Sequence, residues 1–221
     1  MERNVDINEI TDGRRYGLHD LVKVGCNDCE GCSACCRGMG TSIVLDPLDC
    51  YRLTTQLGVT FEQLLANQLE LNLFDGMILP NIKMQGETQV CSFLNEAGRC
   101  SIHSSRPGIC RIFPLGRIYE DNSFQYIHQI HECKKEHKTK VKVSKWIDTP
   151  MLKENEAFII EWHYFIKNLQ EYIRNSTNEQ SIKTLNLYIL NAFYMVPYEK
   201  NISFYEQFAD RVEQVKETLG F

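Results

Sequence analysis

Long apolar runs are missing from this 221-residue chain. No purely aliphatic or aromatic run approaches the ~18 residues of a membrane span, and Met1 to Ile10 (MERNVDINEI) hold no continuous apolar stretch of the kind that opens a secretory leader. A cytoplasmic protein without a membrane partner is expected. Basic charge is not in surplus either: 24 Lys plus Arg stand against 29 Asp plus Glu, a net charge of −5, so no whole-chain positive field draws nucleic acid and none is expected as a partner. There is no GxGxxG after a strand, no GxxxxGK[ST], no GxSxG and no HExxH, which leaves phosphate cradles, serine-hydrolase elbows and zinc-protease helices without support. The CxxxCxxC loop of radical enzymes that cleave S-adenosylmethionine is also missing.

Cysteine is what the chain has. Ten cysteines are about 4.5% of the residues, below the ~8–10% of short secreted disulfide scaffolds, and 43% hydrophobic content supplies a core that needs no staples. In a reducing compartment clustered thiols point to metal or redox chemistry. Five fall between Cys26 and Cys36, and the segment through Gly40 (CNDCEGCSACCRGMG) has almost no aliphatic residues and glycines at 31, 38 and 40. Neither a packed helix nor a strand follows from it, so something other than a core must organise it. Each CxxC can bring two sulfurs to one metal, since Zn–S bonds of ~2.3 Å demand closeness, and CxxCxxC runs also wrap iron–sulfur cubanes. Cys35 and Cys36 are adjacent, and successive side chains of an extended chain diverge, so one of them is available to a different centre. Cys91, Cys100, Cys110 and Cys133 follow downstream, giving eight thiols with Cys29, Cys32, Cys35 and Cys36: enough for two tetrathiolate sites, or for one site and spare thiols. Cys50 lies inside a predicted helix and is expected in the core.

The rest of the chain reads as α+β: a small cysteine-rich domain of short strands and helices, then a helical region. A polar N-terminal arm is expected over 1–20, the metal-binding domain over 21–148 and helices packed on it over 149–221. Thr41 to Leu45 reads as a strand. Asp46 as N-cap and Pro47 at the first helical position predict a helix to Leu57 closed by Gly58; Thr60 and Gln63 open a second, to about Glu70. Ile78 to Met84 and Thr88 to Leu94 read as strands, and Arg117 to Glu120 with Phe124 to Ile127 as a hairpin turning at Asp121-Asn122-Ser123. Apolar stripes from Phe158 to Ile173, from Ile182 to Phe193 and from Phe204 to Leu219 predict three helices, the last opening at Ser203 with Glu206 three residues on. His128, His131 and His137 bracket Cys133 without a named ligand spacing. The six lysines between Lys134 and Lys145 read as a solvated strand edge.

CxxCxxCC at Cys29–Cys36, followed by Cys91-Ser92-Phe93-Leu94, Gly98-Arg99-Cys100-Ser101-Ile102-His103, Arg106-Pro107-Gly108-Ile109-Cys110-Arg111-Ile112-Phe113-Pro114 and the late Cys133, resembles the YkgJ-type cysteine-cluster family, a zinc- or iron-chelating domain related to flagellin lysine N-methylases. Ser33 stands where the family often has glycine, His103 where tyrosine is common, and Cys26 is additional. The resemblance implies that Cys29, Cys32, Cys35, Cys36, Cys91, Cys100, Cys110 and Cys133 hold a 4Fe–4S cluster or zinc, and that metal ions are its partners. Arg106 and Arg111, flanking Cys110, would offset thiolate charge at that cofactor, and Phe113-Pro114 would keep water from it. The kinship with flagellin methylases implies an alternative, an S-adenosylmethionine-dependent protein lysine N-methyltransferase acting on a partner such as flagellin. A third reading makes zinc a folding staple of a partner-binding module. No catalytic residue is assigned.

Overall fold

In the computed structural model, which describes residues 6–27, 29–30 and 32–220, the chain begins with a one-turn helix α1 (Ile7–Ile10) and strands β1 (Thr11–Tyr16) and β2 (Leu21–Gly25). The cysteine loop follows, with a 3-10 turn at Ala34–Cys36, then helices α2 (Pro47–Leu57) and α3 (Phe61–Asn67). Strands β3 (Leu69–Phe74), β4 (Met77–Ile82), β5 (Met84–Gln85) and β6 (Val90–Cys91) lead to a 3-10 turn at His103–Ser105 and helix α4 (Gly108–Ile112). After β7 (Leu115–Glu120), β8 (Ser123–Gln129) and β9 (Thr139–Lys142) come helices α5 (Val143–Ile147), α6 (Leu152–Asn175) and α7 (Glu179–Leu190). A π-helical turn at Asn191–Met195 extends α7, and α8 (Phe204–Leu219) ends the fold. This is the α+β architecture with a helical C-terminal region that the pattern predicts. No helix among the described residues is long and apolar enough to cross a membrane.

Local signals account for the helix starts. The Asp46 carboxylate accepts the Asp49 N–H, the Asp49 carboxylate answers to the Asp46 N–H, Pro47 supplies the first turn and Gly58 stops α2 in the left-handed region at φ 66°. Thr60 and Gln63 cap α3 in the same reciprocal way. That helix ends at Asn67 rather than near Glu70, because Leu69 to Phe74 pairs in register with Met77 to Ile82. The strand expected over Thr41 to Leu45 reduces to one bridge, Val44 to Asn81, and Thr88 to Leu94 keeps only Val90–Cys91 as strand. Ser203 sits at the N-cap of α8 without a side-chain cap bond. The β7–β8 hairpin turns on Asp121 and Asn122, both at positive φ (48° and 54°), as a two-residue loop matching strand twist requires, so Ser123 already belongs to β8.

The sheets are small and antiparallel: β1-β8-β7, β2-β9, β3-β4 and β5-β6. Part of the predicted polar arm is therefore strand, since Thr11–Tyr16 pairs with β8. Two hydrophobic cores result. The larger unites Leu53, Phe61, Met77 and Ile82 with Phe158, Leu169, Phe193 and Phe208. The smaller collects Tyr16, Val22, Val24, Ile112, Leu115, Tyr126, Val143 and Ile147.

Candidate metal centre

All ten cysteines are free thiols, and Cys50, 3% exposed in α2, belongs to the larger core as expected. The first stretch to deliver thiols starts where β2 ends at Gly25, paired with Thr139 of β9. That approach leaves no room for a side chain: a Cβ on Gly25 would strike Thr139 Oγ1 and sit 2.7 Å from Val141 Cγ2. Cys26 follows at once, its Sγ 3.5 Å from Cys29 Sγ. Cys29 takes a left-handed φ of 58°, and the Cys32 N–H donates to the Cys29 carbonyl at 3.0 Å, closing the CxxC as a tight turn. Lys135 Nζ donates to the Glu30 carbonyl at 2.8 Å, which ties the Cys133 segment to this loop, and Lys138 Nζ donates to the Cys133 carbonyl at 2.8 Å within that segment. Cys26, Cys29, Cys32, Cys35 and Cys133 thereby line one solvent-open cleft. Phe113, Pro114 and Trp146 complete its apolar wall, and the Trp146 indole is fixed by donating to the Ile112 and Phe113 carbonyls at 3.2 and 3.1 Å.

A second group adjoins the first at Cys35 and Cys36. Arg37 bridges Val90 and the Gly38 N–H donates to the Gln89 carbonyl at 2.9 Å, which sets Cys36 near Cys91 at the end of β6. From Cys91 the chain doubles back. The Leu94 N–H donates to the Cys91 carbonyl (2.9 Å), the Asn95 N–H to the Arg99 carbonyl (2.9 Å), and Leu94 bridges Cys100. Cys110 arrives on α4, whose first N–H, that of Gly108, donates to Asp49 Oδ1 at 2.7 Å. Cys91, Cys100 and Cys110 pack against the larger core, whereas Trp146 in the cavity wall packs against the smaller one.

The thiol electrostatics follow these neighbourhoods. Burial, a hydrogen bond with Cys26 and the nearby Cys35 and Cys133 push Cys29 up to about 12. Cys36 donates to Cys35, which brings Cys35 down to about 7 against its burial, with Arg106 assisting; Cys36 itself is driven up. Burial also raises Cys91 and Cys100, each feeling Cys35, and Cys110 well above its usual range, with Asp49 and the other thiols adding to it. Without a metal most of these sulfurs keep their protons, so a metal has to displace protons as it binds.

The two arginines divide in role. Arg106 donates to the His103 carbonyl at 3.1 Å and its charge acts on Cys35 and Cys100. Arg111, 6% exposed, donates through Nη1 to the Asp148 carbonyl at 2.9 Å and through Nη2 to the Ser104 carbonyl, so its two outer nitrogens clamp backbone. His128 Nδ1 faces Asp12 Oδ2 at 3.6 Å, and burial lowers its pKa. Of the six lysines expected on a strand edge, Lys140 and Lys142 are exposed on β9, paired to β2, whereas Lys134, Lys135 and Lys138 precede the strand and Lys145 lies in α5.

Soft thiol donors in this number fit zinc or an iron–sulfur cluster in kind. Among the described residues no three cysteine, histidine or carboxylate groups are arranged as they stand so that they could hold a metal ion, so closing on one takes side-chain movement. Cys26 is the cavity-lining thiol that the eight-cysteine pattern leaves out; its CxxC spacing to Cys29 was the available signal. Trp146 carried no motif. No curated protein and no solved structure is significantly similar to this chain. The family whose description reads "CxxCxxCC: Putative zinc- or iron-chelating domain" matches residues 28–144, more than half of the 221 residues. With CxxCxxCC at Cys29–Cys36 and five thiols around one cavity, the chain belongs to this family of zinc- or iron-chelating cysteine-cluster domains.

Proposed function

We propose that the protein holds a 4Fe–4S centre through its clustered thiolates, with zinc as the alternative occupant. The observation that carries this reading is the cavity lined by Cys26, Cys29, Cys32, Cys35 and Cys133. Phe113, Pro114 and Trp146 give it apolar cover, and burial and hydrogen bonding around the sulfurs are the levers that tune a cluster's potential. Zinc would ask for four of the same thiolates in a tetrahedron. In this reading residues 21–148 are the metal-binding unit, 149–221 its helical cover, and a reducing cytoplasm keeps the thiols available.

Anaerobic purification followed by iron, zinc and sulfide analysis is the test. A brown protein that bleaches on reduction and carries iron and sulfide is expected. A colourless, sulfide-free protein with bound zinc replaces the cluster by the d10 ion, and a protein that takes up neither metal overturns chelation itself.

A further inference from the structure

We infer that the nine thiols outside the core form two separate metal centres: Cys26, Cys29, Cys32 and Cys133 at the cavity, and Cys36, Cys91, Cys100 and Cys110 beside β6 and α4, with Cys35 at the seam. This rests on the chelation reading and adds the number of centres and their ligands. One centre cannot use nine thiols, because a zinc tetrahedron and a cubane each take four cysteines. The backbone sorts them into two fours. Cys26 to Cys32 and Cys133 are joined by Lys135 on the Glu30 carbonyl and by the β2–β9 pairing. Cys36 is turned toward Cys91 by the Arg37–Val90 bridge, and Cys91 and Cys100 are held together by the Leu94–Cys100 bridge. The side chains of Cys35 and Cys36 are hydrogen-bonded to each other while Cys35 also lines the cavity, so this pair is where the two sets meet.

Each set also has its own scaffold and its own cations. The cavity lies against Trp146 of the smaller core and is lined by Lys134 and Lys135; Cys91, Cys100 and Cys110 pack on the larger core, with the Arg106 charge acting on Cys100. Four thiolates around Zn2+ carry a net charge of −2, and cations at both places offset it at both. Cys91, Cys100 and Cys110 cannot move across to the cavity thiols without giving up their packing on the larger core.

The test is a Co2+ titration of the reduced full-length chain under anaerobic conditions, read by the thiolate-to-cobalt charge-transfer band. Two equivalents are expected for the wild type, one for Cys29→Ser/Cys133→Ser, one for Cys91→Ser/Cys110→Ser, and none for the quadruple variant. Native mass spectrometry of the zinc-loaded wild type should show two metals passing through one to none as chelator is added. Saturation of the wild type at one equivalent overturns the division, as does loss of both equivalents in a double variant whose circular dichroism stays native. A wild type that binds no cobalt and no zinc sinks chelation, which is a different result. If a double variant fails to fold, the wild-type count and the native mass series decide.

Discussion

Asp49 is a carboxylate at 3% exposure with a backbone partner on each oxygen: Oδ1 accepts the Gly108 N–H at 2.7 Å and Oδ2 the Asp46 N–H at 3.3 Å. It fastens the start of α2 to the start of α4, two residues before Cys110. Asp49→Ala strands both N–H groups, at about 1–3 kcal/mol for a buried unmet donor. A loss of roughly 2–3 kcal/mol in urea unfolding is expected, and a loss under 0.5 kcal/mol would show that the tie does not matter. Its neighbour Asp46 is pushed up to about 8, by burial first and by the Asp49 charge second. The folded chain then holds a proton that the unfolded chain gives up near pH ~3.9, so stability from this group is full below that value and falls as pH rises toward 8. Asp46→Asn keeps an N-cap oxygen and removes the titration, and its melting temperature should gain on the wild type between pH 6 and pH 9. An unchanged difference across that range refutes the linkage. At this scale the thiols were legible as a group, because five cysteines in an apolar-poor loop have no core to enter. What brings Cys36 beside Cys91 was not: it depends on the Arg37–Val90 bridge, a contact across 53 positions that no local pattern encodes.

Elements were readable where end chemistry is local. Asp46, Pro47 and Gly58 bound α2, and Asp121-Asn122 makes the β7–β8 turn, because each signal acts within four residues. β1 was hidden: TDGRRY neither alternates nor carries much apolar surface, and it becomes a strand through its antiparallel pairing with β8 and the ion pair of Arg15 with Glu120 on β7. β3 was hidden differently, its alternation starting two residues after α3 ends. The β2–β9 ribbon carries an element-scale prediction. Gly25→Ala puts a methyl group against the Thr139 and Val141 side chains and 3.2 Å from the Thr139 carbonyl, so relief takes rotamer changes at both residues or a shift of β9. Overpacking of this kind costs about 1–3 kcal/mol. Because Cys26 is the next residue, the same variant should lower metal retention in the cavity while leaving one cobalt equivalent at the second set. Wild-type retention at both would mean that the ribbon does not position Cys26.

Across the whole molecule the larger core joins the family-matched segment to the terminal helices. Leu53, Phe61 and Met77 share it with Phe158, Phe193 and Phe208, and the Tyr194 hydroxyl donates to the Leu45 carbonyl at 3.1 Å. Phe208 is 1% exposed and meets Phe158 edge-on with ring centroids 4.7 Å apart, so Phe208→Ala leaves a cavity that its neighbours cannot fill. The expected loss is about 3–5 kcal/mol, a large share of the ~5–15 kcal/mol that holds a domain of ordinary stability. Since Cys91, Cys100 and Cys110 pack on this core and the cavity thiols do not, the variant should release metal from the second set at lower denaturant than the wild type, before the cavity set lets go. Hydrogen exchange tests the cohesion: amides of α2 and of α6 should lose protection together in the variant, as one cooperative unit. Protection lost in α6 to α8 alone, with α2 and the second metal unaffected, would make the terminal helices a detachable cover rather than half of the scaffold.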